Sequence, residues 1–215
     1  MFAETRTYDL NGFNAVSAAE GIQVFVDVGE AFSVVAESDD VAQLDRLDLS
    51  VKQRVLVVQM ESKLFTLRRK KGWKITVRIS MPEMITANSS SGASLTVDDM
   101  EGSALELVAS SGSKLQVARL SGDRLVVTSS SGSSIEGDAG SCETLKAVAS
   151  SGAKIDLEGV ECGKAEAIVS SGARAVVFAD DAIEANASSG GTVVVHGAHT
   201  SIDINATSGG DVVFP

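Results

Sequence analysis

LKAVASSGAKI, from Leu145 to Ile155, contains the pattern that decides the fold of this 215-residue chain. A pair of small polar residues followed by glycine occurs seven times after residue 80, with separations of 20, 20, 20, 20, 18 and 19 residues. A nearly constant period of this length indicates a repeat architecture. The corner glycines are Gly92, Gly112, Gly132, Gly152, Gly172, Gly190 and Gly209.

Apolar residues alternate with polar residues on both sides of each glycine. In the quoted stretch, Leu145, Ala147 and Ala149 precede Gly152, and Ile155 follows it. The other repeats carry mostly apolar residues in the same columns. Alternation with a period of two indicates strands that bury one face. Since two short strands cannot bury that face alone, we expect successive repeats to stack about 4.8 Å apart around a narrow interior of Ala and Val.

The repeats predict an all-β fold, a single-stranded right-handed parallel β-helix of about seven coils with an N-terminal β-rich cap. Glycine at each corner permits a positive φ. We expect the corner serines to hydrogen-bond one another or the corner backbone. A row of Ser and Thr could instead order water or bind glycans, but the flat Thr rows and aromatic platforms of such surfaces are absent from the sequence.

The chain is predicted to form one continuous domain over residues 13–215. Residues 1–12 are an N-terminal extension, 13–80 are irregular first coils and a cap with a basic hairpin, and 81–215 are the regular coils. Within the cap, alternation predicts strands near 21–28, 32–37, 47–51, 55–60 and 74–80. Gly29-Glu30 suggests a hairpin turn, and Asp39 to Leu44 suggests one helical turn with an Asp cap.

Charge is unevenly distributed along the chain. Residues 1–80 carry 11 basic and 11 acidic side chains, whereas residues 81–215 carry 7 and 18, so the net charge of −11 lies on the repeats. An acidic surface repels nucleic acid and anionic membranes, so no nucleic-acid partner is expected. The sequence has no apolar run long enough to span a membrane. Acidic repeats rich in Ser, Thr and Gly are compatible with an exported protein whose signal peptide is not part of this sequence.

The basic residues concentrate in one stretch of the cap. Nine of the 18 lie between Lys52 and Arg78, together with the single tryptophan. One interpretation is a solvated turn whose tryptophan packs on a coil edge. The other is a protruding hairpin that grips an anionic partner. The candidate partner-binding residues are Arg68, Arg69, Lys70, Lys71 and Trp73.

Cys142 and Cys162 are 20 residues apart, which is one period of the repeat. On adjacent coils their Cα atoms would lie about 5 Å apart, a distance that a disulfide accepts. The pair is therefore a candidate disulfide if the protein is exported, and a pair of reduced thiols otherwise.

One outward column is unexpectedly apolar. Val108, Val148 and Ile168 stand four residues before their glycines, where alternation directs side chains to solvent. Exposed β-branched rows are typical of contact surfaces, so these three residues form a candidate interface for a partner or for self-association.

The sequence predicts no catalytic, cofactor-binding or metal-binding residues. His196 and His199 follow a strand without further ligands and are interpreted as a surface loop. Glu136 and Asp156 stack in one outward column, but its other members make a poor catalytic floor. A polysaccharide-binding or polysaccharide-active β-helix and a purely structural envelope protein remain the alternatives to a binding module.

The chain resembles the bacterial family described as "putative autotransporter adhesin, head GIN domain" from about Phe13 to Phe214. The resemblance rests on Phe13-Asn-Ala-Val16, Gly21-Ile-Gln-Val24, LDLSVKQRVLVVQM and the Ser-Ser-Gly coils. It implies an exported β-helix, often a lipoprotein, without established catalytic residues. We therefore expect a non-enzymatic cell-envelope protein with an adhesin-like binding or self-assembly role, a protein or glycan partner, and a tendency to form homo-oligomers.

Overall fold

The computed structural model of the chain describes residues 3–61, 74–198 and 200–215. Strands account for 65% of the structure and helix for 2%, so the predicted all-β class is confirmed. The strands wind into a β-solenoid of about six turns. The sequence predicts about seven coils, a small difference from the structure.

The strands fall into a head and a body. The head contains β1 (Glu4–Tyr8), β2 (Ala15–Ala18), β3 (Gln23–Val28), β4 (Ser33–Ser38), α1 (Val41–Leu44), β5 (Leu47–Lys52), β6 (Val55–Met60) and β7 (Ile75–Met81). The body contains β8 (Thr86–Ser89), β9 (Ser94–Ala109), β10 (Lys114–Ser129), β11 (Ser134–Gly137), β12 (Gly140–Ala149), β13 (Lys154–Asp156), β14 (Val160–Val169), β15 (Arg174–Phe178), β16 (Ala182–Ser188), β17 (Thr192–His196), β18 (Ser201–Thr207) and β19 (Asp211–Val213).

The coils of the body are stacked in parallel and in register. Leu105 pairs with Leu125, and Leu125 with Leu145, so residues one period apart are direct neighbours. All three side chains are 1–3% exposed. Because the columns carry mostly Ala, Val and Leu, each coil adds a thin apolar layer to one continuous core.

The corners share one backbone geometry. The residue before each corner glycine is a serine with a φ of 50–55°, and the glycine itself has a φ of 69–76°. Two consecutive left-handed residues form a type I′ turn. The first of these turns is closed by the N–H of Ala93, which donates to the carbonyl of Ser90 at 3.0 Å. The positive φ predicted for the glycines is confirmed, and the serine before each glycine shares it.

Hydrogen bonds of the backbone connect one corner to the next. The N–H of Gly92 donates to the carbonyl of Ser111 at 3.1 Å, and the same bond joins Gly112 to Ser131 at 3.0 Å. The serine directly before each of these glycines is exposed, and the first serine of the pair, such as Ser90, is half-buried. The corner ladder is therefore held by the main chain.

A second group of serines lies inside the solenoid, in inward columns whose other members are mostly Ala. Ser89, Ser113, Ser129 and Ser133 are 1–2% exposed. The hydroxyl of Ser113 donates to the carbonyl of Ser89 at 2.8 Å, and that of Ser133 donates to Ala109 at 2.9 Å. These hydroxyls avoid the cost of about 1–3 kcal/mol that an unsatisfied buried donor carries.

The first coil of the solenoid lies within the head. β2 pairs in parallel with β8, and β3 pairs in parallel with β9. The corner that joins β2 to β3 consists of Glu20 and Gly21, whose φ values are 60° and 75°. It is therefore the same turn as the later corners, but without the Ser-Ser pair. The periodic stacking therefore begins before the first Ser-Ser-Gly.

The rest of the head covers this first coil. On one side β7 pairs with β3, β4 pairs antiparallel with β7, and β1 pairs antiparallel with β4. On the other side β6 pairs with β2, and β5 pairs antiparallel with β6. The predicted helical turn is present as α1, and its N-cap Asp40 accepts a hydrogen bond from the N–H of Ala42.

The predicted hairpin at Gly29-Glu30 is wrong. β3 pairs with β7 and β9, whereas β4 pairs with β1 and β7, so the two strands joined by this turn are not partners. Both edges of β3 are already occupied, and β7 lies between β3 and β4. The N–H of Gly29 accordingly donates to the carbonyl of Met81 at 2.8 Å.

Candidate binding surface

The outward side chains of the strand before each corner form one face, which we name the pre-corner face. It comprises the columns that lie four, six and eight residues before each glycine. Val108, Val148 and Ile168 belong to the first of these columns, in register with Thr128 and Asn186. All three are half-buried, whereas their neighbours along the strand are buried. They therefore point outward, and their role as an interface stays a prediction.

The next column of the pre-corner face is charged. Lys146, Glu166, Glu184 and Asp203 are stacked in register. The Nζ of Lys146 lies 2.7 Å from the Oε1 of Glu166, and Asn186 donates to Glu184 at 3.2 Å. Since the side chains of the ion pair are 40% and 35% exposed, it is expected to contribute only about 0.2–1 kcal/mol to stability.

An open groove of about 500 Å³ runs along the charged column, across the stacked coils. Arg124, Lys146 and Lys164 line it toward the head, and Glu184 and Asp203 line it toward the C-terminus. Because the coils are stacked in sequence order, basic groups occupy one end of the groove and acidic groups the other. The groove can thus donate hydrogen bonds at one end and accept them at the other, beside an apolar column.

The two cysteines lie at the start of the strands that carry this charged column. Cys142 pairs with Cys162 across adjacent coils, their Cα atoms are 4.4 Å apart, and their sulfur atoms form a disulfide in the structure. Cys162 is 1% exposed. The bond joins the coils of Lys146 and Glu166, four residues after each cysteine. Its presence in the protein in its native compartment stays a prediction.

The basic hairpin lies outside the described residues. Its candidate partner-binding residues are Arg68, Arg69, Lys70, Lys71 and Trp73. The role of this segment stays a prediction.

Several polar side chains outside the groove have structural partners. His196 lies 3.8 Å from Glu158, which is two coils earlier, and His199 is outside the described residues. Asp98 accepts a hydrogen bond from the N–H of Val28, and Asp180 from the N–H of Ala198. Among the described residues no group of three or more His, Cys, Asp and Glu side chains could hold a metal ion.

The outward column after the corner runs Gln116, Glu136, Asp156, Val176 and Val194 in register. Its carboxylates follow one another along a single line. Val176 and Val194 are only 8% and 6% exposed although they point outward, a shielding that alternation alone does not predict.

No helix among the residues described by the structure has both the length and the apolar character needed to cross a membrane.

Several solved structures share this fold. One "putative adhesin" from Bacteroides fragilis has a TM-score of 0.86 at 14% identity, covering 99% of this chain and 96% of that chain. Another from Parabacteroides merdae has a TM-score of 0.74 at 15% identity, with coverages of 94% and 96%. A "putative lipid binding protein" from Parabacteroides distasonis has a TM-score of 0.69 at 15% identity, with coverages of 98% and 96%. At these identities the likeness shows the fold alone.

No curated protein matches the chain. A protein family does match, over residues 12–199. The matched range contains the head from β2 onward, most of the groove and the disulfide, and it exceeds half of the chain. The chain therefore belongs to the family described as "putative auto-transporter adhesin, head GIN domain".

Proposed function

We propose that this chain is a non-enzymatic, adhesin-like binding module of the bacterial cell envelope or surface. The observation that carries the proposal is the pre-corner face, on which a groove with a basic and an acidic end runs beside half-buried Val148 and Ile168. Membership of an adhesin family supports an exported location, in the periplasm or on the outer surface. The proposed partner is a protein or a glycan.

The chemistry of the face suits an extended, polar partner. Peptides and oligosaccharides present donors and acceptors along their length, and the face presents its own groups at the strand spacing of about 4.8 Å. The apolar column beside the groove excludes water and so strengthens those hydrogen bonds. Because the coils are stacked without long insertions, no long loop interrupts the face, and an extended partner can lie along it.

A matched pair of variants tests the pre-corner face. The test variant replaces Lys146 and Glu166 by alanine, which removes the ion pair at 2.7 Å. The control replaces Lys114 and Glu136 by alanine, which removes the pair at 3.9 Å on the strands after the corner. Both variants keep the net charge, and each is expected to lose at most about 1 kcal/mol of stability.

The unaltered chain, immobilised and probed with a glycan array and with envelope proteins, is expected to retain a partner. The Lys146 and Glu166 variant should lose that partner, and the control should keep it. Equal binding by both variants would contradict the assignment of the face. Release of new sugar ends from an envelope polysaccharide would instead support the enzyme alternative.

The basic hairpin is proposed as a second contact for an anionic partner, with Arg68, Arg69, Lys70 and Lys71 as charges and Trp73 as an anchor. Half of the basic side chains lie in and around it, while the repeats carry the entire net charge of −11. Replacing Arg68, Arg69 and Trp73 by alanine should weaken partner capture without unfolding the protein. Unchanged capture from envelope extracts would remove the hairpin from the proposal.

A further inference from the structure

The C-terminal end of the solenoid presents a strand edge without a partner. β18 pairs with β16 and β19 pairs with β17, and within the described residues neither strand has a neighbour on its other side. Every residue of β18 is exposed. The backbone donors and acceptors along this edge are therefore available to another strand.

The same end exposes residues of the interior columns. Ile202 is stacked on Ile183, and Ile204 on Ala185. The two residues beneath are 2% and 0% exposed, whereas Ile202 and Ile204 are 52% and 42% exposed. The end thus combines an unpaired ladder with apolar side chains that a further layer would cover.

β18 lacks the sequence features that normally prevent the edge strands of two molecules from pairing. Its sequence, SIDINAT, contains no proline, glycine or lysine, and Asp203 is its only charged residue. A seven-residue edge of this kind is a template for strand addition.

At the opposite end of the solenoid, the first coil has no free edge among the described residues. β2 is flanked by β6 and β8, and β3 by β7 and β9. The outer strands of the head, β1 and β5, have one partner each, but charged side chains blunt their edges: Glu4 and Arg6 in β1, Asp48 and Lys52 in β5. A second copy therefore cannot add its head to this C-terminal end in the way that one coil adds to the next. The remaining symmetric contact joins two C-terminal ends across a two-fold axis.

We infer that two copies of this chain associate end to end, with β18 pairing antiparallel with β18 of the second copy about Ile204. In this register Ile204 lies opposite itself, and Ile202 lies opposite Ala206, so the exposed interior columns cover each other. Asp203 lies opposite Asn205, which is uncharged. Centring the pair on Asp203 instead would place two carboxylates opposite each other, and like charges across a strand pair are destabilising.

The inference goes beyond the proposed function and extends the homo-oligomer expected from the sequence. Asp203 and Asn205 also belong to the pre-corner face, whereas Ile204 lies in an interior column, so a substitution of Ile204 tests the dimer separately from partner binding. Each chain carries a net charge of −11, so two copies repel each other. Salt screens that repulsion. The dimer is therefore expected to tighten as salt is raised, whereas contacts of the charged groove should weaken.

Sedimentation and light scattering of the 215-residue chain over a concentration series test the inference. The expected species has twice the 22.2 kDa of one chain. Ile204→Lys places two ammonium groups opposite each other and should leave only monomer. Asn205→Lys brings an ammonium group opposite Asp203 of the second copy and should tighten the dimer about three- to tenfold, whereas Asn205→Asp should weaken it by a similar factor.

Asn205 is exposed, so its two substitutions change the register contact without changing the core. Monomer at every concentration, which would also be the result if another protein covered this end, overturns the inference. So do a dimer that is insensitive to Ile204→Lys and open-ended oligomers. The Lys146 and Glu166 variant should dimerise like the parent, and Ile204→Lys should still bind the partner, which separates failure of this inference from failure of the binding face.

Discussion

The two ends of the solenoid are built from the same coil but have different surroundings. At the N-terminal end, β6 and β7 pair with the first coil, and β4, β5 and β1 extend the sheet from them. At the C-terminal end, β18 and β19 have the preceding coil on one side only. The periodic pattern decides which side chains point into the interior. Those side chains become buried only where a coil or strand lies on both sides of them.

Ile79 and Ile202 illustrate the difference. Ile79 lies in β7, pairs with Val26 and Val34, and is 1% exposed. Ile202 occupies an interior column of the last coil and is 52% exposed. An inward-facing residue therefore contributes fully to stability only if coils or strands cover it on both sides. Membership of an interior column is not sufficient.

The largest expected effect comes from the same substitution at the two ends. Ile79→Ala should lower the free energy of unfolding by about 2–5 kcal/mol, because it leaves a cavity in the covered head. Ile202→Ala should cost less than about 1 kcal/mol in the monomer, because the side chain is already half in water. Urea denaturation at a concentration where the protein is monomeric measures both. Equal losses would contradict the contrast between the ends.

The disulfide should have the next largest effect. It closes a loop of about 20 residues, which stabilises a protein by about 3 kcal/mol in the chain-entropy picture. Cys142→Ala combined with Cys162→Ala should lower the unfolding free energy by that order, and mass analysis after alkylation shows whether the parent is oxidised. We expect the coils after Cys162, on the open side, to lose more protection than the coils before Cys142. Two free thiols in the secreted parent would contradict the disulfide.

Hydrogen exchange should resolve the difference without any substitution. Amides of β18 and β19 are expected to exchange through local opening of the last coil, while those of β3 and β10 require nearly global unfolding. Raising the protein concentration should slow exchange in β18 if the second copy covers it. Uniform protection along the monomer would show that the last coil is held as firmly as the first.

The smallest effect is expected at the outer layer of the head. Hydrogen bonds to Asp45 and Glu4 raise the pKa of the Arg6 guanidinium, and its Nη2 lies 2.8 Å from the Oδ1 of Asp45. Arg6→Ala should destabilise the protein by a small fraction of the Ile79→Ala effect, and less at high salt, because the pair is exposed. Thermal unfolding at low and high salt measures the difference, and a large loss would show that β1 is essential to the cover.

Most of the solenoid could be predicted because the period sets the register. Once Gly132 and Gly152 are aligned, Leu125 and Leu145 must be neighbours, and the outward position of Val148 follows from alternation. The hairpin at Gly29-Glu30 could not be judged in the same way. Turn chemistry is local, whereas the strand that separates β3 from β4 comes from much later in the chain.

The candidate surface was only partly predictable, for a related reason. The column of Val108, Val148 and Ile168 follows from the sequence alone. The groove depends on how Lys164, Glu184 and their neighbours are arranged across five coils, which no single repeat contains. The burial of Ser113 likewise depends on a carbonyl in the preceding coil, since a serine beside a turn is ordinarily exposed.

Because the corners share one geometry, the length of the solenoid can change in steps of one coil. Excising residues 113–132 joins Gly112 directly to Ser133, and every later residue keeps its column. The head and the open end then approach each other by one strand spacing, about 4.8 Å, while both remain unchanged. Gain or loss of whole coils can therefore set the distance between the head and the open end without any redesign of the surfaces at the two ends.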